Sequence, residues 1–142
     1  MAKDINPDKV SISFGTYSID GIADGTFISV ERNADSFNLS VGADGEGARV
    51  KTNNRSGRVR VTLMQTSASN DILSGLMNAD ELSGSSQLPL LIKDNSPNGR
   101  TIISAEKAWI VRPTVVEYSN EATTREWIFE TDVLVMVNIG GN

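Results

Sequence analysis

The sequence predicts a mainly β domain, built as a β-barrel or sandwich with one flanking α-helix. Apolar and polar residues alternate with period two in several short segments, whereas only one segment has apolar residues at helical spacing. The chain has 142 residues, enough to bury one core, and no repeat or shift in composition divides it. We therefore predict a single domain over residues 1–142.

The first strands are predicted from alternation. Val10–Phe14 is a short half-buried strand after a flexible start over residues 1–7, and turn signals stand at Asp24-Gly25. Residues 26–32 and 37–41 are expected to pair as a hairpin that turns at Asn33-Ala34. One face of that hairpin would be buried and carry Ile28, Val30, Phe37, Leu39 and Val41.

Residues 42–57 are polar and rich in glycine, and we predict an extended loop or hairpin that projects from the domain. Connections of this length in compact domains are usually functional. Five charged residues lie in it: Asp44, Glu46, Arg49, Lys51 and Arg55. A strand over residues 58–63 follows, with Val59, Val61 and Leu63 facing inward and Arg58 and Arg60 facing outward.

The predicted helix opens at Ser69-Asn70-Asp71, where Ser69 or Asn70 could cap it and Asp71 suits the helix dipole. It ends at residues 84–86. Its apolar stripe has a period near 3.6. The stripe consists of Ile72, Leu73, Leu76, Met77 and Leu82.

The remaining segments complete the sheet. Residues 88–92 form a short strand in which Pro89 indicates an edge or a strand start, and residues 94–99 form a turn. A strand over 101–112 would place Ile103, Ala105 and Trp109 on one side. A loop over 113–124 leads to a long closing strand over 127–137.

The residues that are absent restrict the chemistry. The chain has no Cys and no His, which removes disulfides, thiol nucleophiles, the usual general base and the commonest metal ligands. We predict no enzyme activity, no cofactor and no metal. The formal net charge of -5 argues against a dedicated nucleic-acid binder. No segment is apolar for long enough to span a membrane, and the start lacks a secretory signal, so we expect folding in a cytoplasm.

Several residues allow a second interpretation. Glu130 and Asp132 would share one strand face and could serve acid–base chemistry or bind a cation, although a solvated strand face is the simpler explanation. Trp109 and Trp127 could stack on sugars or bases, but a core or interface role is favoured. The basic residues between Arg49 and Arg60 form either a solvated face or a surface for an acidic partner.

Several stretches resemble the tail tube proteins of contractile-tailed bacteriophages. They are Phe27-Ile28-Ser29-Val30-Glu31-Arg32, Asp35-Ser36-Phe37, Gly42-Ala43-Asp44-Gly45-Glu46-Gly47, Arg55-Ser56-Gly57 with the strand to Ser67, Ser69-Asn70-Asp71-Ile72-Leu73, Trp109 and Arg125-Glu126-Trp127-Ile128-Phe129. The resemblance covers about Val10 to Val137. It implies a homo-hexameric ring that stacks into a hollow tube inside a contractile sheath and conducts DNA into the host.

The same resemblance implies partners and sites. The partners are the sheath, baseplate, tail-terminator and tape-measure proteins, and the tube is assembled in the host cytoplasm and ends in the virion. The segment 42–57 would contact an adjacent subunit and become ordered on assembly. We expect a net negative lumen, because attraction would trap passing DNA, with Glu31, Asp35, Glu130 and Asp132 as candidate lining residues. Arg58 and Arg60 would then lie at subunit contacts or toward the sheath.

Two other functions remain open. The tube proteins of type VI secretion and of contractile bacteriocins share this fold. A monomeric β-sandwich binding module would instead use Trp109 or Trp127 as its platform, and would stay dispersed at 15.3 kDa.

Overall fold

A computed structural model describes residues 10–21, 28–84, 87–94, 101–121 and 123–137. The predicted flexible start, the turn at 24–25 and the turn at 95–99 lie outside these residues. The strands are β1 (Val10–Phe14), β2 (Tyr17–Ser18), β3 (Ile28–Arg32), β4 (Phe37–Val41), β5 (Gly47–Lys51), β6 (Gly57–Met64), β7 (Leu88–Asp94), β8 (Ile102–Ile110), β9 (Thr124–Thr131) and β10 (Val135–Val137), and the helix is α1 (Ser69–Ser83).

Among the described residues, eight strands form one sheet and two form another. The large sheet is antiparallel in the order β2-β1-β7-β8-β9-β6-β3, with β10 also paired to β8, and β4 pairs only with β5. In that order β1 and β9 are three inter-strand spacings apart, about 14 Å in a flat sheet. Phe14 and Phe129 nevertheless meet edge to face with ring centroids 5.0 Å apart. The sheet is therefore strongly curved around its own core. The prevalence of strands over helix confirms the predicted mainly β fold.

The core lies on the concave face of this sheet. Its alternating side chains come from β1, β6, β7, β8 and β9, and Leu73 and Met77 of α1 close it. Ile72 and Leu82, which were expected in the helical stripe, are exposed, Leu82 by 89%. Leu82 lies in the last turn of α1, before the chain leaves through Gly84 in a left-handed conformation.

The predicted helix cap is wrong. The residue before the helix is Ala68, which has no capping side chain, and the Ser67 hydroxyl accepts a hydrogen bond from the Ser69 amide, at 3.2 Å. The Ser69 hydroxyl instead accepts a hydrogen bond from the Asp20 amide, at 2.9 Å. The Asn70 amide group donates to the carbonyls of Met64, Gln65 and Ser67, and its oxygen accepts from the Trp127 indole, at 2.9 Å. Both residues therefore hold the helix against the sheet instead of capping it.

The predicted hairpin between residues 26–32 and 37–41 is also wrong. β3 pairs with β6, and Phe37, Leu39 and Val41 of β4 are all exposed. Alternation identified both strands correctly, but the partner of β3 is a strand that lies 25 or more residues further along the chain. The second strand of the β4 hairpin is β5, which lies inside the predicted 42–57 segment.

A bulge changes which side of β8 faces the core. Leu88 pairs with Ala108 but Leu90 pairs with Ala105, so β8 contains one extra residue at this point. Ile103 and Ala105 face the core before the bulge, and Ala108 and Ile110 face it afterwards. Trp109 therefore lies on the opposite face from Ile103, contrary to the prediction. Pro89 stands at the same bulge, although β7 is an interior strand.

The predicted long closing strand is interrupted. β9 ends at Thr131 and β10 begins at Val135, yet both pair along one side of β8, with Thr131 opposite Ala108 and Val135 opposite Ser104. Between them the Leu134 amide donates to the Arg55 carbonyl, at 2.9 Å, and the Leu134 side chain is buried over Gly57.

Substitution of Gly57 tests this close approach. A Cβ there would lie 2.8 Å from Leu134 Cβ and 3.0 Å from the Glu31 carbonyl oxygen. Gly57→Ala is expected to reduce the free energy of unfolding by about 1–3 kcal/mol, measured by urea denaturation. Gly75→Ala is the control, because a Cβ at Gly75 meets nothing within 4 Å, and in a helix it should stabilise by about 0.5–1 kcal/mol. Equal effects of the two substitutions would contradict the packing argument.

Candidate assembly surfaces

The hairpin, defined as β4, β5 and their turn (residues 37–51), projects from the domain. Every residue from 35 to 51 is exposed, and the two strands pair only with each other. At its base the Thr52 amide donates to the Ser36 carbonyl, at 2.8 Å, and the Asn38 side chain donates to the Thr52 hydroxyl, at 3.1 Å. The hairpin is thus formed within the single chain but has no cover among the described residues.

One face of the hairpin is apolar and basic. In the register, Phe37 lies opposite Lys51 and Leu39 opposite Arg49, so these side chains share a face. The Arg49 guanidinium carbon lies 4.3 Å from the centroid of the Phe37 ring, within the range of a cation–π interaction. Leu39 is 74% exposed. An exposed apolar row of this kind marks a surface for a partner.

The other predicted contact residues lie at the two ends of the hairpin. In the turn, the Asp44 carboxylate accepts from the Glu46 amide, at 3.1 Å, and Gly45 adopts a positive φ of 87°. Arg55 lies beyond the base, where its carbonyl is bonded to Leu134 and its side chain is exposed. The five residues are therefore divided among the tip, one face and the base.

Glu31, Arg58 and Glu130, here called the acid–base row, lie side by side on the outer face of the sheet. Glu31 pairs with Arg58 in the register, and Arg58 pairs with Glu130. Arg58 Nη2 is 3.6 Å from Glu130 Oε2, and Asn33 Nδ2 donates to Glu130 Oε1 at 3.4 Å. The three side chains therefore point the same way. Arg58 thus shares a sheet face with two candidate lumen carboxylates, and its expected place at a subunit contact or toward the sheath stays a prediction.

The other two candidate lumen carboxylates are apart from this row. Asp132 follows the end of β9. It is therefore outside the strand whose alternation was expected to place it on the same face as Glu130. It lines a shallow cavity of about 350 Å³ beside Glu106 and Lys107. Asp35 is exposed next to the base of the hairpin. The lining of the lumen by these carboxylates stays a prediction.

The strap, defined as residues 111–121, is a surface whose residues were predicted only to form a loop. It runs without helix or strand over the outer side of β9. Three of its apolar side chains are exposed, Val115 by 72%, Val116 by 57% and Tyr118 by 85%. The Val-Val-Glu-Tyr run was the available signal, because consecutive apolar residues in a loop indicate an exposed patch.

The strap is fixed in place by a buried arginine. Arg125 is only 6% exposed, and its Nη2 donates to the Glu117 carbonyl at 3.2 Å while its Nη1 donates to the Thr123 hydroxyl at 2.8 Å. The Gln65 side chain accepts from the Thr123 amide and hydroxyl. At the other end of the strap the Val111 amide donates to the Ile128 carbonyl. The exposed apolar side chains of the strap are therefore held on an anchored backbone.

Other kinds of site find little support in these residues. Within the described ranges no three acidic side chains gather closely enough to hold a metal ion. Trp127 is buried in the core and cannot serve as an open stacking platform, whereas Trp109 is half-buried. In the part of the chain that the structure describes, no helix has the length and apolarity to cross a bilayer.

The curved sheet carries a projecting, partly apolar hairpin, and an exposed apolar surface of this kind favours a subunit that binds other chains. Comparison with known proteins shows the family to which the chain belongs. The family described as "Bacteriophage PhiTE tail tube protein" matches residues 3–138, and the chain belongs to this family. It is therefore a structural component of a phage tail.

A relative with a sequence match agrees with this assignment. The chain is 36% identical over 115 residues to "Structural protein ORF10" of Pseudomonas phage KPP10, which covers 80% of this chain but only 65% of the relative.

Solved structures share the fold. In the cryo-EM structure of the PVC extracellular contractile injection system sheath/tube terminator, one chain superposes with a TM-score of 0.67 at 12% identity, covering 95% of this chain and 97% of the other. A chain of the PVC sheath–tube complex gives 0.64 at 12% identity, covering 94% and 90%.

Proposed function

We propose that six copies of this chain close into a ring and that the rings stack into the hollow tail tube of a contractile phage. The observation that carries the proposal is the hairpin, whose apolar and basic face is built within the chain and left uncovered. Membership of the tail tube family supports it, and the sheath–tube and terminator structures share its fold. Ring closure with stacking uses heterologous contacts, which cover the same surfaces on every copy.

The proposed partners follow from the position of a tube in a tail. A sheath protein surrounds the tube, a terminator and a baseplate cap its two ends, and a tape-measure protein occupies the lumen before DNA does. The subunits assemble in the host cytoplasm. Membership of a phage family favours a phage tail over a type VI secretion or bacteriocin system. Because Trp127 is buried, a monomeric binding module could use only Trp109 of the two tryptophans as its stacking platform.

Wild-type protein tests the assembly directly. We expect rings of six times 15.3 kDa by native mass spectrometry and hollow tubes by negative-stain electron microscopy. The amount of tube should increase with protein concentration because assembly follows mass action. A species that remains at 15.3 kDa at high concentration would contradict the proposal.

We also propose that Glu31 and Glu130 face the lumen together with Arg58. The acid–base row then has one net negative charge per subunit, repeated along the tube. DNA carries one negative charge per roughly 1.7 Å of axis, so a lumen that repels phosphates lets it pass freely.

Reversal of one charge tests the proposed lumen. Glu31→Lys should permit tube assembly but slow genome ejection several-fold at low salt, because the row becomes net positive, and high salt should reduce the effect. The measurement is DNA release from phage that carry the variant. Glu81→Lys, at an exposed position on α1, makes the same change in charge elsewhere and should leave the rate unchanged. Equal rates for both variants at low salt would show that Glu31 does not face the lumen.

A further inference from the structure

The hairpin and the strap lie at opposite ends of one strand. β9 begins at Thr124, where Thr123 and Arg125 hold the strap, and ends at Thr131, which pairs with Gly57 beside the hairpin base. Its eight residues span about 26 Å. These two exposed apolar surfaces of the described chain therefore lie toward opposite ends of β9. A copy that is displaced along β9 brings its hairpin toward the strap of the next copy.

The two surfaces are complementary in apolar character. The hairpin presents Phe37, Leu39 and Val41 in a row, and the strap presents Val115, Val116 and Tyr118. Each row is exposed within the single chain, so contact between them would remove apolar area from water on both sides. The strap backbone is anchored, which reduces the ordering cost of such a contact.

The charges also correspond. From the turn of the hairpin to its base, Asp44 and Glu46 come first, and Arg49 and Lys51 follow along β5. Along the strap, Arg112 comes first and Glu117 and Glu121 follow. With the turn of the hairpin placed beside Arg112, its two acidic residues lie toward a basic residue, and Arg49 and Lys51 lie toward the acidic residues Glu117 and Glu121.

We propose that the strap of a second copy is the surface that receives the hairpin. This inference rests on the proposed tube and names the contact that stacks its rings. Phe37, Leu39 and Val41 pack on Val115, Val116 and Tyr118, while Arg49 and Lys51 pair with Glu117 and Glu121.

Cross-linking tests the contact, because a chain without Cys allows each thiol to be placed alone. Leu39→Cys chains are mixed with Val116→Cys chains, assembled and treated with a short bismaleimide. We expect a covalent dimer on a denaturing gel. The matched control pairs Leu39→Cys with Leu82→Cys, which is 89% exposed on α1, and we expect no dimer above background. Equal dimer yields, or tubes that form without any Leu39–Val116 product, would overturn the inference and leave the proposed tube intact.

Charge exchange provides a second measurement. Arg49→Glu with Lys51→Glu, and separately Glu117→Lys with Glu121→Lys, should each lower the pelleted tube mass at least about tenfold at low salt. Combining all four changes in one chain should restore it. If the fourfold variant stays as defective as its parents, the charge pairing is wrong. If wild-type protein itself forms no tubes, the proposed function fails and this inference fails with it.

Discussion

Replacement of residues 37–51 by Asn-Gly is expected to give a folded subunit that forms no tubes. The Ser36 carbonyl and the Thr52 amide are already hydrogen bonded at 2.8 Å, and Asn-Gly favours a tight two-residue turn between such ends. All the removed residues are exposed, so the free energy of unfolding should change by less than about 0.5 kcal/mol. Removal of residues 44–54 alone is a poorer test, because it leaves β4 without its partner strand.

Point variants on the two hairpin faces provide the matched comparison. Leu39→Asp places a charge in the apolar row and should abolish tubes, whereas Ser40→Asp lies on the other face of the same strand and should retain them. Sedimentation and negative-stain microscopy measure the result, and circular dichroism checks the fold. Normal tubes from the chain without a hairpin would show that the hairpin is dispensable and would remove the main support for the proposed stacking.

Trp127→Ala is expected to reduce the free energy of unfolding by about 3–5 kcal/mol. The side chain is fully buried, and its indole nitrogen donates to Asn70 Oδ1. The substitution therefore leaves a cavity, and the side-chain oxygen of Asn70 at the start of α1 loses this donor. Since domains of this size are stable by about 5–15 kcal/mol, the variant should be close to unfolding at 37 °C. Urea denaturation followed by circular dichroism measures the loss.

The second tryptophan is the control for this prediction. Trp109 is half-buried on the outer face of β8, where it pairs with Glu130 in the register. Trp109→Ala should cost less than about 2 kcal/mol, because less apolar area is removed from contact. A loss as large as that of Trp127→Ala would mean that the outer face contributes a core of its own.

Short-range patterns predicted the elements of this fold well. The period of two in Val10–Phe14 and in residues 58–63 placed both strands and their inward faces, and the period of 3.6 placed α1 with Leu73 and Met77 inside. These features depend on residues that are close in the sequence, within one helical turn or one strand pleat. Sequence periodicity therefore predicts them.

Long-range choices could not be predicted in the same way. Alternation marked β3 and β4 as amphipathic but did not show that β3 would pair with β6. The bulge in β8 arises from its pairing with β7 near Pro89, and no residue in β8 itself signals it. Ser69 and Asn70 fit a cap by local rules, yet Asp20 and Trp127 compete for their side chains.

The candidate site was predicted in location but not in form. Glycine and charge content marked residues 42–57, whereas the hairpin also includes β4, whose apolar row indicated burial. The apolar row of β4 needs a covering surface, and no described residue of this chain provides one. The strap was missed because its anchor, Arg125, lies on a different element and reaches Glu117 only in the folded chain.

The placement of the hairpin and the strap at opposite ends of β9 gives any stack built from this contact a direction. One terminal ring would present six unoccupied hairpins and the other six unoccupied straps. Subunits would therefore add at the two ends with different rate constants. A capping protein that binds one end would not bind the other. On the proposed contact, this difference between the two ends of a stack follows from the positions of the hairpin and the strap in each subunit.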